Sequence, residues 1–278
     1  MMITPLPHRG VLEIQGEDKT AFLQGLISND INGVTPENAI YATLMSPQGR
    51  FLYDFFIMER DGSYFLDVEA GRLADLVKKL SLYKLRSAVR LIPRPDLKVF
   101  ALWGDNVAKK FGLKEERGQA MPGLYMDPRL IELGVRGMGE IPPFETTSLE
   151  EYEVHRLKLG VPEGGRDLIP EKSILLESGL DELNAISWTK GCYIGQELTT
   201  RTKFLGLVRK RLLPVRIEGP APDFGTEILL GEVKVGTMCT HADGYGLALL
   251  RLEHLKGEDV LQCAEAVLRP YKPFWMNF

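Results

Sequence analysis

Apolar residues recur along this chain with two periods, and the switches between them mark out a succession of short elements. Residues 11–14 read as a strand, and Asp18 stands as N-cap of a helix whose Phe22, Leu23, Leu26 and Ile27 share one face at helical spacing. Asn32-Gly33 closes that unit. Residues 41–45, 51–59 and 63–68 are dense in aromatic and aliphatic side chains, and Arg60-Asp61-Gly62 between the last two is a hairpin signal. Leu73, Leu76, Val77 and Leu80 return to helical spacing, after which residues 89–92 and 99–102 read as strands. Helices and strands alternate, but the hairpins favour α+β layers with mixed, antiparallel sheets over a doubly wound parallel fold.

Pro142-Pro143 marks a boundary, and Ser148 with Glu151 forms a capping-box pattern that opens a helix through Leu157 and Leu159, returning the chain across the molecule. Residues 161–182 are turn-rich and weakly periodic, as in an ordered loop that presents functional groups. From Gly206 onward, short apolar runs are separated by Gly219-Pro220-Ala221-Pro222 and Ala242-Asp243-Gly244, the pattern of a small β-barrel. Three units are therefore expected: α+β modules over residues 1–142, a return helix and loop over 143–205, and a C-terminal barrel over 206–278.

With 44% hydrophobic and 26% charged residues, the chain can bury a full core and is not a disordered segment. A net charge of −4 argues against binding nucleic acid by bulk electrostatics. One local exception stands out, since residues 198–217 hold no acid but contain Arg201, Lys203, Arg209, Lys210, Arg211 and Arg216. These cations either protect a strand edge or receive an anionic ligand. Cys192, Cys239 and Cys263 are odd in number and widely spaced, which suits a reducing compartment and no disulfide framework. No C-x-x-C occurs, so a zinc site or a cluster held by this chain alone is not expected. Cys239 and Cys263 lie in apolar, strand-like surroundings and read as core. His8, His155, His241 and His254 lack metal-ligand spacing. Residues 160–167 resemble a P-loop but lack its Lys and Ser/Thr, and no G-x-G-x-x-G opens a helix. A Cys-His triad has no local signature beyond the cysteine. The first residues show neither a secretion signal nor an Arg-rich presequence, and no apolar run is long enough to span a bilayer. A bacterial cytoplasmic protein is expected, or one of the mitochondrial matrix if the source is eukaryotic.

The richest chemistry is in Lys190-Gly191-Cys192-Tyr193-Ile194-Gly195-Gln196-Glu197. A thiol acts as nucleophile or metal ligand only as thiolate, which a neighbouring ammonium such as Lys190 favours. Gly191 and Gly195 allow close backbone approach or positive φ. Burial of Cys192 as a small hydrophobe is the plain alternative.

This octapeptide, preceded by Gly160-Val161-Pro162-Glu163-Gly164, Glu177-Ser178 and Leu183-Asn184-Ala185-Ile186-Ser187-Trp188-Thr189 and followed by Arg201, resembles the signature of the folate-binding YgfZ family. Gly206-Leu207-Val208-Arg209-Lys210-Arg211-Leu212 is similar to the branch that includes the mitochondrial iron–sulfur assembly factor. Upstream, Gly16-Glu17-Asp18, Phe22-Leu23-Gln24-Gly25, Asn29-Asp30, Pro47-Gln48-Gly49-Arg50 and Asp54 also fit.

The resemblance implies a relative of the glycine-cleavage T-protein, an aminomethyltransferase using tetrahydrofolate, adapted to assemble or repair iron–sulfur proteins. It implies two interleaved α+β modules and a small barrel around a central cavity that takes a folate. T-proteins carry paired glycines and paired aspartates where this chain reads Gly49-Arg50 and Tyr53-Asp54, and they lack the cysteine. Both departures favour the assembly role over aminomethyl or other one-carbon transfer, which is the alternative. On this reading Cys192 is the working thiol, either a ligand to a cluster shared with a partner or a redox or nucleophilic group beside the folate. Lys190 favours the thiolate, and Arg201 holds a carboxylate by a bidentate pair. Asp54 and Glu197 accept hydrogen bonds from the pterin; otherwise Asp54 is a strand-end turn residue and Glu197 a partner of Lys190. Tyr193 and Gln196 complete the candidate site. The basic strip would then meet the glutamate tail of a folate or an acidic protein. Expected partners are an A-type iron–sulfur carrier and cluster-containing client enzymes. The bacterial branch is linked to transfer-RNA modification, whose enzymes carry clusters; direct RNA binding is not expected.

Overall fold

The computed structural model describes residues 1–206, 208–255 and 260–277. Leu207, within the stretch quoted for the resemblance, and residues 256–259 and 278, within the 206–278 unit, lie outside the described residues.

The first sheet is built from β2 (Arg9–Gln15), β3 (Ile40–Met45), β4 (Phe51–Arg60), β5 (Ser63–Glu69) and β6 (Arg90–Pro93), in the order β3-β4-β5-β2-β6 and antiparallel throughout. It is covered on both faces, which is why β3 and most of β4 are buried without a polar face. Leu52, Phe55 and Ile57 join Leu23, Ile27, Leu76 and Leu80 of the helical side, while Phe51, Phe56 and Met58 enter the larger core shared with the rest of the molecule. The helices on that side are α1 (Lys19–Gln24) and α2 (Leu73–Lys84). Helix α1 is shorter than its apolar spacing predicted, although Leu26 and Ile27 beyond its end are buried as expected. Asp18 does not cap it: the Asp18 carboxylate accepts the Ala88 N–H at 2.7 Å and ties the loop after α2 to the start of α1.

The second sheet runs β1-β7-β10-β9-β8, formed by β1 (Met2–Pro5), β7 (Lys98–Trp103), β8 (Ala120–Met121), β9 (Leu124–Met126) and β10 (Val135–Gly139). Strand β1 precedes every strand of the first sheet yet pairs with β7, so the two modules interleave as expected. Short helix α3 (Val107–Lys110) follows β7. Strands β1, β8, β9 and β10 have no counterpart in the sequence reading. Strand β10 contains two glycines, and Gly137 is required because the Phe100 ring of β7 lies 2.2 Å from where its Cβ would be. A glycine-bearing strand gives no apolar alternation to read. A cleft of about 500 Å³ lies between the modules, walled by Pro5, Pro7, Leu73, Pro93 and Leu97.

Helix α4 (Leu149–Lys158) starts at a complete capping box, Ser148 Oγ accepting from Glu151 N–H and Glu151 accepting from Ser148 N–H, both at 3.2 Å. It packs between β1 and the barrel strands β13 (Val233–Ala242) and β14 (Tyr245–Arg251). The loop after it is pinned: Glu171 N–H donates to Phe51 O and Phe51 N–H donates to Ser173 O, and Gly179 presses on Trp275 and Met276 of the C-terminal tail. A further helix, α5 (Gln196–Phe204), follows; its three threonines and Gly195 start gave no helical signal in the sequence. The barrel closes in the order β11-β14-β13-β12-β15-β16, from β11 (Lys210–Glu218), β12 (Glu227–Leu230), β13 (Val233–Ala242), β14 (Tyr245–Arg251), β15 (Leu261–Cys263) and β16 (Ala266–Pro270). Among the described residues no helix is long and apolar enough to cross a membrane.

Candidate functional site

Two motifs distant in sequence meet backbone to backbone. The turn between β3 and β4 is closed by Gly49 N–H to Ser46 O at 2.9 Å, with Gly49 at φ 65°. Gly195, at φ 82° before α5, lies against it so closely that a Cβ would fall 2.6 Å from Ser46 O and 3.1 Å from Gly49 Cα. Only a residue without a side chain fits that contact and that φ together. Thr199, one turn into α5, secures it by donating to Gly195 O at 3.1 Å.

The segment leading to Cys192 is fastened to the turn that follows α1. Ser28 Oγ donates to Ala185 O at 2.6 Å and accepts from Thr43 N–H, and Ser28 O accepts from Ser187 N–H. Asn29 Nδ2 donates to Tyr41 O and Asn184 O, each at 2.9 Å. Lys190 Nζ donates to Ile27 O and Asn29 O, each at 2.7 Å, and lies 5.2 Å from the Tyr193 ring centre. Burial pushes the Lys190 ammonium down to about 8, partly opposed by the Asp30 carboxylate. These bonds place the motif's cation in a clamp on backbone carbonyls. Among the described residues it forms no ion pair with Glu197, which corrects that one expectation for Lys190. Ser28, Asn29 and Asn184 gave no chemical signal of their own; their place in the family signature marked Asn29 and Asn184, and nothing marked Ser28.

Between these fastenings Cys192 is exposed, whereas Cys239 and Cys263 are buried. Burial pushes the Cys239 thiol up to about 12, with the Asp167 charge adding to the effect. Tyr193 is buried and burial raises its hydroxyl to about 12, so it acts here as a neutral ring under Lys190. Gln196 and the exposed Glu197 form the first turn of α5. Arg201 is exposed on the same helix and makes no ion pair among the described residues. The basic strip is broken: Lys203 pairs with Asp181, and Arg211 turns inward to Leu176 O, Glu182 and Asn277 O, leaving Arg209 and Arg216 exposed.

Asp54 lies elsewhere. It follows Arg50 by four residues along β4, about 13 Å at strand rise, and is buried in a cluster of charges between the modules. Its Oδ2 accepts from Tyr41 Oη at 3.1 Å, its Oδ1 is 3.7 Å from the Arg9 guanidinium, and it abuts Gly164, where a Cβ would sit 1.9 Å from Oδ1. Asp54 is thus buried among charges while Glu197 is exposed on α5, so the two carboxylates stand in different surroundings. The two positions that depart from the T-protein pattern are used structurally: Arg50 donates to Lys172 O at 3.1 Å, and Tyr53 packs under the Arg72 guanidinium at 4.1 Å. His8 pairs with Glu163, and His155 stacks on Trp103; among the described residues no group of three His, Cys, Asp or Glu is placed to hold a metal ion.

Two interleaved antiparallel modules and a closed C-terminal barrel make up the fold. The chain superposes on glycine cleavage system aminomethyltransferase T from Bartonella henselae with a TM-score of 0.79, covering 99% of this chain and 86% of that one at 13% identity, a likeness of fold. Residues 209–278 match the CAF17 C-terminal beta-barrel domain. The mitochondrial iron–sulfur cluster assembly factor IBA57 of Mus musculus is 36% identical over 95% of this chain and 81% of its own length, and that of Homo sapiens is 35% identical over 94% and 80%. The chain belongs to the IBA57 family.

Proposed function

We propose that this chain is an accessory factor for assembly or repair of iron–sulfur proteins, with Cys192 as its working thiol. The observation that carries the reading is the contrast at the motif: Cys192 is exposed on a loop whose neighbours are tied down, while the other two thiols are buried. Its similarity to two factors named for iron–sulfur cluster assembly supplies the class of cargo. Clusters are commonly held by four thiolates, and ligation releases the thiol proton. With one exposed thiol and no ligand grouping of its own among the described residues, this chain supplies one ligand and the partner supplies the others. An A-type carrier and cluster-containing client enzymes are the fitting partners. Gly191, beside the thiol, leaves open space for such an approach, nothing lying within 4 Å of where its Cβ would be. The YgfZ resemblance and the mitochondrial relatives are compatible with a bacterial cytoplasm or a mitochondrial matrix. A link to transfer-RNA modification would run through the clusters of the modifying enzymes, since the broken basic strip offers no continuous track for RNA.

Anaerobic reconstitution with an A-type carrier tests the reading. Visible circular dichroism is expected to show a new cluster signal with wild-type chain and none with Cys192→Ser; equal signals would overturn it.

Tetrahydrofolate enters through the fold, and a carboxylate such as Asp54 or Glu197 would accept hydrogen bonds from its pterin. The shared aminomethyltransferase fold favours one-carbon transfer at Asp54 as the second reading. It requires turnover that survives Cys192→Ala and collapses in Asp54→Asn.

A further inference from the structure

The end of α2 and the loop after it carry a surface that the cysteine site does not use. Residues 76–91 hold Lys78, Lys79, Lys84, Arg86 and Arg90 and no acid, in a chain whose net charge is −4. Among the described residues only Lys78 of these has an ion-pair partner, the exposed Asp75. Leu76 and Leu80 fix α2 to the sheet, but Leu82 and Leu85 face outward with 77% and 88% of their surface exposed. Leu85 also adopts φ 44° and ψ −108°, a left-handed backbone that a branched side chain disfavours. Strain of this kind persists where something offsets it, yet the Leu85 side chain finds little inside the molecule. Beside it runs an open groove of about 850 Å³, walled by Ala21 and Phe22 of α1 and by Leu85, Arg86 and Ser87.

We propose that this tip is a docking surface for an acidic segment of a partner protein, with an apolar side chain of that segment seated in the groove against Phe22 and Leu85. The uncompensated cations select carboxylates, and the two leucines, the most exposed large apolar side chains among the described residues, supply the apolar contact. An anionic bilayer is the competing occupant, which the vesicle arm of the test distinguishes; the Asp18 carboxylate on the groove wall is already engaged by the Ala88 N–H. The surface is separate from Cys192 and does not depend on the function of that thiol.

A phage-displayed library of random dodecapeptides selected on the full chain, with counter-selection on the Leu82→Glu/Leu85→Glu variant, tests this. Recovered peptides are expected to carry Asp or Glu flanking Leu, Ile, Phe or Met. As fluorescein conjugates they are expected to bind about tenfold more weakly to Leu85→Glu and to Arg86→Glu, and to weaken as salt rises. Leu85→Gly guards against misfolding as the explanation, since glycine accepts this backbone: the variant is expected to gain thermal stability while losing peptide affinity. The proposal is overturned if no peptide is enriched, if enriched peptides lack acids or bind all variants alike, or if only phosphatidylserine vesicles bind.

Discussion

Lys190 carries a charge into a place where burial opposes it, and the two carbonyls it holds explain why it is there. The backbone oxygens of Ile27 and Asn29 would lose these partners in Lys190→Met, a cost of about 1–3 kcal/mol. The charge itself makes that cost depend on pH. The folded-state value is about 8 against an ordinary 10.5, so between these limits the unfolded chain binds a proton that the folded chain has released. Stability rises with pH wherever the unfolded state binds more protons, so the burial penalty is full below about pH 8 and gone above about 10.5. A neutral amine keeps two N–H donors, enough for both carbonyls. Urea unfolding is therefore expected to show wild type gaining on Lys190→Met as pH rises through that window; a gap that stays constant or narrows contradicts the clamp.

Elements position the cysteine through one contact that tolerates no side chain. Gly195→Ala must place a methyl group 2.6 Å from Ser46 O at φ 82°, so the turn after β3 and the start of α5 have to separate. A loss of about 1–3 kcal/mol in chemical unfolding is expected. Gly191→Ala, with open space around it, is expected to change stability by less than about 0.5 kcal/mol. Equal effects would mean that the contact does not hold the loop. The same elements show how much was legible beforehand. The first sheet, α2, the Ser148 capping box and the barrel announce themselves by local periodicity and caps. Strand β10 does not, because Gly137 yields its side chain to Phe100, and α5 does not, because its threonines favour no helix. The cysteine motif was legible as chemistry, but the direction of Lys190 was not: its acceptors are backbone atoms more than 160 residues away, as the separations of 161 and 163 show. The folate reading likewise named Asp54 and Glu197 as pterin partners, and the structure buries the first in β4 and exposes the second on α5.

At the scale of the molecule, the units are joined by buried ions rather than by apolar contact alone. Asp67 of β5 in the first sheet accepts from Arg9 of the same sheet at 2.6 Å and from Arg136 of β10 in the second at 2.7 Å, and all three side chains are almost wholly buried. A parallel link ties Arg156 of α4 to Asp167 of the following loop at 2.7 Å, and Asp167 in turn accepts from Thr240 of the barrel. Burial would raise the Asp67 carboxyl, but the Arg136 and Arg9 guanidiniums outweigh it and hold the group below its ordinary 3.8. A carboxyl lowered in the fold contributes stability that is present above its unfolded value and lost as pH falls through its folded value. Asp67→Asn removes that contribution at every pH, leaves the buried Arg136 guanidinium without its anion and leaves Arg9 only the more distant Asp54 at 3.7 Å. Removing one partner of such a pair is worth about 3–5 kcal/mol, whereas the exposed Asp96 beside Arg94 contributes little against solvent screening. Urea unfolding followed by tryptophan fluorescence at neutral pH is therefore expected to separate Asp67→Asn from Asp96→Asn by several kcal/mol. The gap between wild type and Asp67→Asn is expected to close as the pH is taken down through the folded-state value of Asp67, because acid protonates the wild-type carboxyl and makes it neutral as well. A gap that persists unchanged in acid would show that Asp67 acts through shape and hydrogen bonding, and that its charge does not join the two modules.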